Sequence, residues 1–115
     1  MTVELMQTMQ TMQPEHRPEV RLAVIGARLD VSSAGEVRAR LDEQLARGCG
    51  DLVIDLSGVE VIDATGLGVL LGADRRAKAM NRRLVLRAAL PRVRRILRVT
   101  RLDRVLALED APLHS

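Results

Sequence analysis

Residues 55–80 read DLSGVEVIDATGLGVLLGADRRAKAM, and this stretch decides the fold because a buried strand, a turn and a helix follow one another in it. Ser57-Gly58 forms the turn, and the short apolar run at 59–62 leads to Asp63. From about residue 65 to 80 the apolar side chains recur at helical spacing. Asp63 is therefore predicted to be the N-cap of a helix, where its carboxylate can accept hydrogen bonds from the free amides of the first turn.

Strand patterns recur on both sides of this stretch. Residues 19–26 alternate apolar and polar side chains, which places Val20, Leu22 and Val24 on one face of a half-buried strand. The continuous apolar run within 51–56 is typical of a central strand that is covered on both faces. Two further strands are expected at 84–86 and at 105–108.

Helical patterns fill the intervals between these strands. Ser33 and Glu36 have the spacing of a capping box, so a helix is expected to begin at Ser32 or Ser33 and to end at Gly48. Pro91 fits the first turn of a last helix. Because strands and helices alternate, we predict an α/β fold with a largely parallel sheet and helices packed on it. The side chains expected to face inward from these two helices are Val37, Leu41, Leu45, Val93, Ile96, Leu97 and Thr100.

The composition narrows the class of protein. A chain of 115 residues with 47% apolar and 29% charged residues fits a single globular domain. It holds no Phe, Tyr or Trp, so it lacks the side chains on which most single-strand nucleic-acid binders stack bases. The one cysteine, Cys49, permits no internal disulfide and is read as an ordinary loop residue. With no secretory signal and no run of about 20 apolar residues, the cytoplasm is the expected location.

Charge is distributed unevenly along the chain. Residues 74–104 carry 12 Lys and Arg against 2 Asp and Glu, whereas the remainder carries 6 against 13. This basic stretch is either a solvated face on two helices or a surface for an acidic partner. Residues 1–18 contain Met-Gln-Thr repeats and two prolines and are expected to form a flexible arm or an edge strand, and residues 111–115 form a short tail.

The start of the helix after Asp63 is the candidate functional segment. The amides of its first turn point out of the helix at the positive end of the helix dipole, where they can hold or respond to a negative group. Gly66 adds no side-chain bulk and lets a partner approach closely. Taken alone, the short motif favours the simpler interpretation of a capped helix start.

The wider context of the motif resembles the STAS domain family, in particular bacterial anti-sigma-factor antagonists. The matching stretches are GARLDVSSAGEVRARL at 26–41, DLVIDLSGVEVIDATGLGVLLGADRRAK at 51–78 and RRILRVTRLDRVLAL at 94–108. The resemblance runs in one register over residues 19–110, which is the expected extent of the domain. It implies a small, mostly parallel (mixed) sheet of four to five strands with helices packed on one side.

The resemblance also implies a function. Family members are not enzymes and use no metal or cofactor. An antagonist binds an anti-sigma factor, usually a serine-protein kinase of the histidine-kinase-like ATPase type, and so frees a sigma factor for transcription. The kinase phosphorylates a Ser in the family motif D-S-[ST]-G-L, which ends binding by placing about two negative charges in the contact surface, and a phosphatase restores it. The partner-binding residues expected here are Asp30, Asp63, Ala64, Thr65, Gly66, Leu67 and Gly68.

This chain departs from the family motif at its most important position. Ala64 stands where the phosphorylated Ser is expected, and alanine has no hydroxyl. Three explanations remain open: a natural member without the switch, a switch moved to Thr65 or another hydroxyl, and an engineered Ser-to-Ala change. Arg101 is a second departure, because relatives often carry Gly there. For Asp30, a place on the partner surface and a role as a turn residue that caps the next helix are equally favoured.

The sequence gives weaker support to functions of other classes. A STAS scaffold or subunit in a non-sigma signalling or transport complex is the main alternative, and the missing acceptor at Ala64 favours it. Nucleic-acid binding through the basic stretch lacks a recognisable reading motif. No membrane segment is expected. Catalysis is disfavoured because the two histidines, His16 and His114, lie near the chain ends and no residues have the spacing of a metal site.

Overall fold

The structure, a computed structural model, describes residues 21–110. The predicted arm at 1–18 and the tail at 111–115 lie outside the described residues. Strands and helices alternate as the sequence predicts. Their bounds are β1 Arg21–Val24, β2 Arg28–Leu29, α1 Ala34–Leu45, β3 Leu52–Asp55, β4 Val61–Ile62, α2 Ala64–Ala79, β5 Leu84–Arg87, α3 Pro91–Val99 and β6 Ala107–Glu109, with a 3-10 turn at Leu102–Arg104 before β6.

The strands form two parallel sheets. The larger has the order β1-β3-β5-β6, and β2 pairs with β4 in a separate two-stranded sheet. Both sheets are parallel throughout residues 21–110, so the predicted α/β class with a mostly parallel sheet is confirmed. The sequence predicts neither β2 nor β4, each of which is only two residues long; the first reads as the close of the preceding strand and the second as an apolar run leading to Asp63.

The three helices of residues 21–110 cover one face of the larger sheet. The row formed by Ala23, Ile54, Leu86 and Leu108 faces the core shared with the helices. The prediction for β1 was wrong in its facing, because Leu22 and Val24 are 51% and 54% exposed. The parallel register explains the difference: it aligns Ala23 with the core row. The apolar core contributed by the helices consists of Val37, Leu41, Leu45, Val69, Leu70, Ala73, Ala77, Val93 and Leu97.

Several predicted helix and strand ends differ from the observed ones. Ser33 is the N-cap of α1, but its side chain makes no capping hydrogen bond, so the predicted capping box is wrong. The Ser33 hydroxyl instead donates to the carbonyl oxygen of Arg28 at 2.8 Å. Thr100 was predicted to face inward but is exposed, and its hydroxyl donates a hydrogen bond to the carbonyl oxygen of Ile96 at 2.7 Å. The last strand begins at Ala107 rather than at 105, because the 3-10 turn occupies the preceding residues.

Arg82 closes the end of the fold opposite to the predicted site. It is only 7% exposed. Its guanidinium donates to the carbonyl oxygens of Leu45 at 2.7 Å, Arg47 at 3.0 Å and Gly50 at 2.9 Å. These are carbonyls at and just beyond the end of α1, which an α-helix leaves without internal donors. Arg82 therefore caps α1 from another part of the chain. Among residues 21–110, no helix is both long and apolar enough to cross a membrane.

Candidate functional site at the start of helix α2

The predicted N-cap is confirmed. Asp63 precedes α2 with an extended backbone, and its Oδ1 accepts a hydrogen bond from the amide of Gly66 at 2.8 Å. The amide of Leu67 donates to the carbonyl oxygen of Asp63 at 2.9 Å, which is the first hydrogen bond of the helix. An aspartate in this geometry satisfies one of the free amides of the first turn and places a negative charge at the positive end of the helix dipole.

Asp63 also ties α2 to the loop that follows β2. Its second carboxylate oxygen, Oδ2, accepts from the amide of Val31 at 3.1 Å, and its own amide donates to the carbonyl of Leu29 at 3.4 Å. One side chain thus holds two segments that lie 32 residues apart in sequence. The position of the Val31 loop relative to the helix start therefore depends on the two oxygens of a single carboxylate.

Gly66 allows the helix start to lie directly on β2. A Cβ atom at this position would stand 1.9 Å from the carbonyl oxygen of Leu29 and 2.7 Å from its carbonyl carbon. Both atoms belong to the backbone, so any side chain would force the segments apart. Gly66 is buried. The sequence suggested that it gives clearance to a partner, but the structure shows that it allows close packing inside the protein.

Asp30 shapes the loop instead of presenting its side chain. It is 5% exposed. Its Oδ1 accepts from the hydroxyl of Ser32 at 2.6 Å and from the amide of the same residue at 3.1 Å. Its Oδ2 lies 2.7 Å from an Arg28 guanidinium nitrogen. The Ser32 hydroxyl, with Arg28 adding to it, holds the pKa of Asp30 below its usual value even though burial opposes this shift.

The geometry supports a turn at Asp30 but not a cap on the next helix. The carboxylate is too buried to serve as a free contact for a partner, and it does not bond to the first amides of α1. It forms a turn that fixes the residue after it, Val31, whose side chain is 74% exposed. The influence of Asp30 on any partner surface is therefore exerted through the loop.

The exposed part of the site is small and uncharged. Ala64, Thr65 and Gly68 are exposed on the first turns of α2, and Val31 lies beside them through its bond to Asp63. We call these four residues the α2-start surface. Leu67 is half-buried and packs against the core, so it supports the surface from below. Within residues 21–110, no group accepts from the amides of Ala64 and Thr65, which face outward.

Two other positions noted in the sequence, Cys49 and Arg101, are not part of the α2-start surface. Cys49 is exposed in a loop between Gly48 and Gly50, both of which have positive φ. Arg101, where the family resemblance leads us to expect Gly, adopts the left-handed conformation with φ 63°, which favours Gly. In the part of the chain that the structure describes, no group of three or more His, Cys, Asp or Glu residues could hold a metal ion.

Sequence reasoning missed Val31, Ser32 and Arg28 as parts of the site. Their roles depend on the contact between the β2 loop and α2, which local patterns do not reveal. The only sequence signal was the spacing Arg28-x-Asp30-x-Ser32, which brings three polar side chains together within five residues.

Comparisons with known proteins agree with this fold. The family model described as "Mlab, STAS domain" matches residues 7–109. The chain therefore belongs to the STAS domain family. An "anti-sigma F factor antagonist" of Paenibacillus polymyxa is 26% identical over 102 residues, which is 88% of this chain and 87% of that protein.

Two solved structures show the same fold. The anti-sigma factor antagonist SpoIIAA in its unphosphorylated form is 22% identical, with a TM-score of 0.69 over 84% of this chain and 83% of that chain. A sulfate transporter family protein of Wolinella succinogenes is 18% identical, with a TM-score of 0.67 over 86% of this chain and 85% of that chain. At these identities the similarity concerns the architecture alone.

Proposed function

We propose that this protein is an anti-sigma-factor antagonist that binds its anti-sigma factor through the α2-start surface. The observation that carries the proposal is the exposure of Ala64, Thr65 and Gly68 on a helix start that is held rigidly by Asp63 and Gly66. Small side chains on a fixed backbone suit close docking of a second protein, because little side-chain entropy is lost on binding. The name of the Paenibacillus polymyxa relative supports the same function.

The partner proposed is a serine-protein kinase of the histidine-kinase-like ATPase type. Resemblance to the antagonist family supports this class, and binding would release a sigma factor in the cytoplasm. The domain proposed for this activity spans residues 19–110. No catalytic role is proposed for the chain, because the α2-start surface holds no nucleophile paired with a general base.

The regulation proposed differs from that of the family. Ala64 is the first residue of α2 and is exposed where the family places its phosphoserine, so a kinase docked here meets a methyl group. SpoIIAA has been solved in a phosphorylated form as well. Here the antagonist is proposed to bind without that switch, with Thr65, the neighbouring exposed hydroxyl, as the only substitute acceptor that the α2-start surface offers.

Titration against candidate kinases tests the proposed partner. Each histidine-kinase-like ATPase encoded in the same genome is titrated with the protein by calorimetry in the presence of ADP or ATP. We expect one of them to bind with a Kd in the micromolar range or below. Absence of binding to every candidate would overturn the proposal.

Phosphate mapping tests the proposed regulation. The binding kinase is incubated with ATP and with the wild type, Ala64→Ser or Thr65→Val, and phosphate is located by mass spectrometry. Phosphate on Ser at position 64 of the first variant, with none on the wild type, would show that the kinase acts on this position and that the wild type is not phosphorylated because it lacks the hydroxyl. Phosphate on Thr65 of the wild type would instead establish a displaced switch.

A second candidate function is that of a STAS subunit in a transport or non-sigma signalling complex. The specific observation in its favour is the match of fold to the sulfate transporter family protein of Wolinella succinogenes, together with the missing acceptor at Ala64. Purification of the tagged protein from its native cells distinguishes the two. Co-purification of a transporter subunit instead of a kinase would favour this candidate.

A further inference from the structure

Unpaired arginines are concentrated in one part of the surface. Most Lys and Arg side chains of the described residues hold a carboxylate or a backbone carbonyl, as Arg28, Arg82 and Arg94 do. Seven are exposed and have no such partner among residues 21–110. Five of the seven lie between residues 92 and 104, and the full set is Arg38, Arg75, Arg92, Arg95, Arg98, Arg101 and Arg104.

Helix α3 presents three of these arginines as a stripe. Val93 and Leu97 are fully buried on its inner side. Arg92, Arg95 and Arg98 follow one another at three-residue spacing on the opposite side, which covers about 9 Å along the helix at 1.5 Å per residue. Val99 lies on the same outer side and is 70% exposed. We call these four residues the α3 stripe.

The α3 stripe begins beside the segment that leads into α2. A hollow of about 430 Å³ is lined by Glu60, Leu90, Pro91 and Arg92. Glu60 immediately precedes β4, and β4 is followed by Asp63. The stripe therefore begins at a hollow that it shares with Glu60, three residues before Asp63 in sequence.

We infer that the α3 stripe binds an acidic segment of the same protein partner that docks on the α2-start surface, an inference that rests on the proposed function. Three exposed arginines that form no ion pair among residues 21–110 attract carboxylates over the distance of a Debye length, about 8–10 Å at physiological salt. The α2-start surface has no positive charge of its own, so the stripe supplies the long-range attraction that the uncharged docking site lacks.

A protein partner fits the stripe better than a nucleic acid does. The chain contains no Phe, Tyr or Trp on which the bases of a single strand could stack. Val99 places an exposed apolar side chain at one end of the stripe, where it can contact an apolar side chain of a protein segment but gains nothing from a phosphate backbone. A peptide that alternates or mixes acidic and apolar residues matches this arrangement.

A pair of double variants tests the inference against an internal control. Arg95→Gln with Arg98→Gln removes two charges from the stripe, and Arg38→Gln with Arg75→Gln removes two equally unpaired, exposed charges from α1 and α2. For the kinase that binds the wild type, we expect the stripe variant to lower the association rate constant about tenfold at low salt. The control should change it less than twofold. Equal effects in the two variants would overturn the inference.

A second titration separates this inference from the proposed function. The wild type, the stripe variant and Ala64→Glu are titrated with a 15-residue polyglutamate peptide and with a 20-base-pair DNA duplex at physiological salt. We expect the peptide to bind the wild type and Ala64→Glu alike and the stripe variant at least about fivefold more weakly. Tighter binding of the duplex, or binding of neither probe, would overturn the inference whatever the kinase titration shows.

Discussion

At the last turn of α1 and at the first turn of α2, a side chain from elsewhere in the chain or just before the helix bonds the free backbone groups. The two ends differ in what they leave exposed. Arg82 reaches the end of α1 from 37 residues away and fills it with buried hydrogen bonds to carbonyl oxygens. Asp63 satisfies a single amide of α2 and uses its other oxygen for the Val31 loop. At the first end a buried guanidinium occupies the free carbonyl oxygens, whereas the second end leaves Ala64 and Thr65 exposed.

Under the proposed function, this difference separates a structural helix end from a partner-binding one. A buried guanidinium that donates to several carbonyl oxygens stabilises the fold. An exposed helix start that is fixed from behind keeps its outer amides and small side chains available. The contrast predicts that substitutions behind the α2 start alter stability and binding together, while substitutions at the α1 end alter stability alone.

The largest effect is expected at Gly66. Gly66→Ala places a Cβ 1.9 Å from the Leu29 carbonyl oxygen, so β2 and α2 must separate. We expect a loss of about 3 kcal/mol or more in the free energy of unfolding, measured by urea denaturation, because neither backbone can yield easily. Gly68→Ala is the matched control. Its Cβ would meet nothing within 4 Å, so it should stabilise α2 by roughly 0.5–1 kcal/mol.

The α1 end is tested by Arg82→Met. The substitution keeps much of the buried volume but removes the donors to Leu45, Arg47 and Gly50. We expect a loss of about 2 kcal/mol in the free energy of unfolding, because buried carbonyl oxygens are left without donors. Arg83→Met, which removes an exposed ion pair at 3.8 Å to Asp51, should cost less than about 1 kcal/mol. A kinase affinity that fell with Arg82→Met, measured on folded protein, would contradict the proposed division of roles.

Asp63→Ala tests the α2 end. The variant loses both the cap on Gly66 and the tie to Val31. A decrease of about 1.5 kcal/mol in the free energy of unfolding is expected, which is the usual effect of losing an N-cap, together with weaker kinase binding because the Val31 loop is released. Asp63→Asn retains one oxygen acceptor and should fall between the wild type and Asp63→Ala in both measurements. Unchanged binding in Asp63→Ala would show that the loop is not part of the docking surface.

The smallest effect is a dependence on pH at Asp30. Its pKa is lower in the folded protein than its usual value of 3.8, mainly because the Ser32 hydroxyl donates to it. The ionised carboxylate therefore adds stability at pH values above the unfolded pKa, and this contribution is lost as the pH falls through the folded pKa. The difference in unfolding free energy between wild type and Asp30→Asn should accordingly shrink between about pH 5 and pH 2. A difference that stayed constant over this range would refute the assignment.

Sequence patterns predicted the alternation of strands and helices because each element buries its apolar residues at a regular spacing, as Val37, Leu41 and Leu45 do on α1. The N-cap at Asp63 was predictable for the same local reason. The Arg82 cap, the contact of Gly66 with Leu29 and the second bond of Asp63 were not, because each joins segments that lie about 30 or more residues apart. The predicted inward face of β1 was wrong, because pairing with β3 decides which of its side chains face the core, and the alternation within β1 alone does not.

Ala64→Glu tests most directly whether a partner docks on the α2-start surface. Ala64 is exposed at the first position of α2, where a glutamate side chain has room and interacts favourably with the helix dipole, so the free energy of unfolding should be unchanged or slightly higher. Calorimetric titration of the binding kinase with Ala64→Glu should show an affinity at least about 100-fold weaker than that of the wild type, since charge and bulk enter the middle of the contact. Ala39→Glu, an equally exposed position on α1, should bind like the wild type. Wild-type affinity in Ala64→Glu would contradict the account.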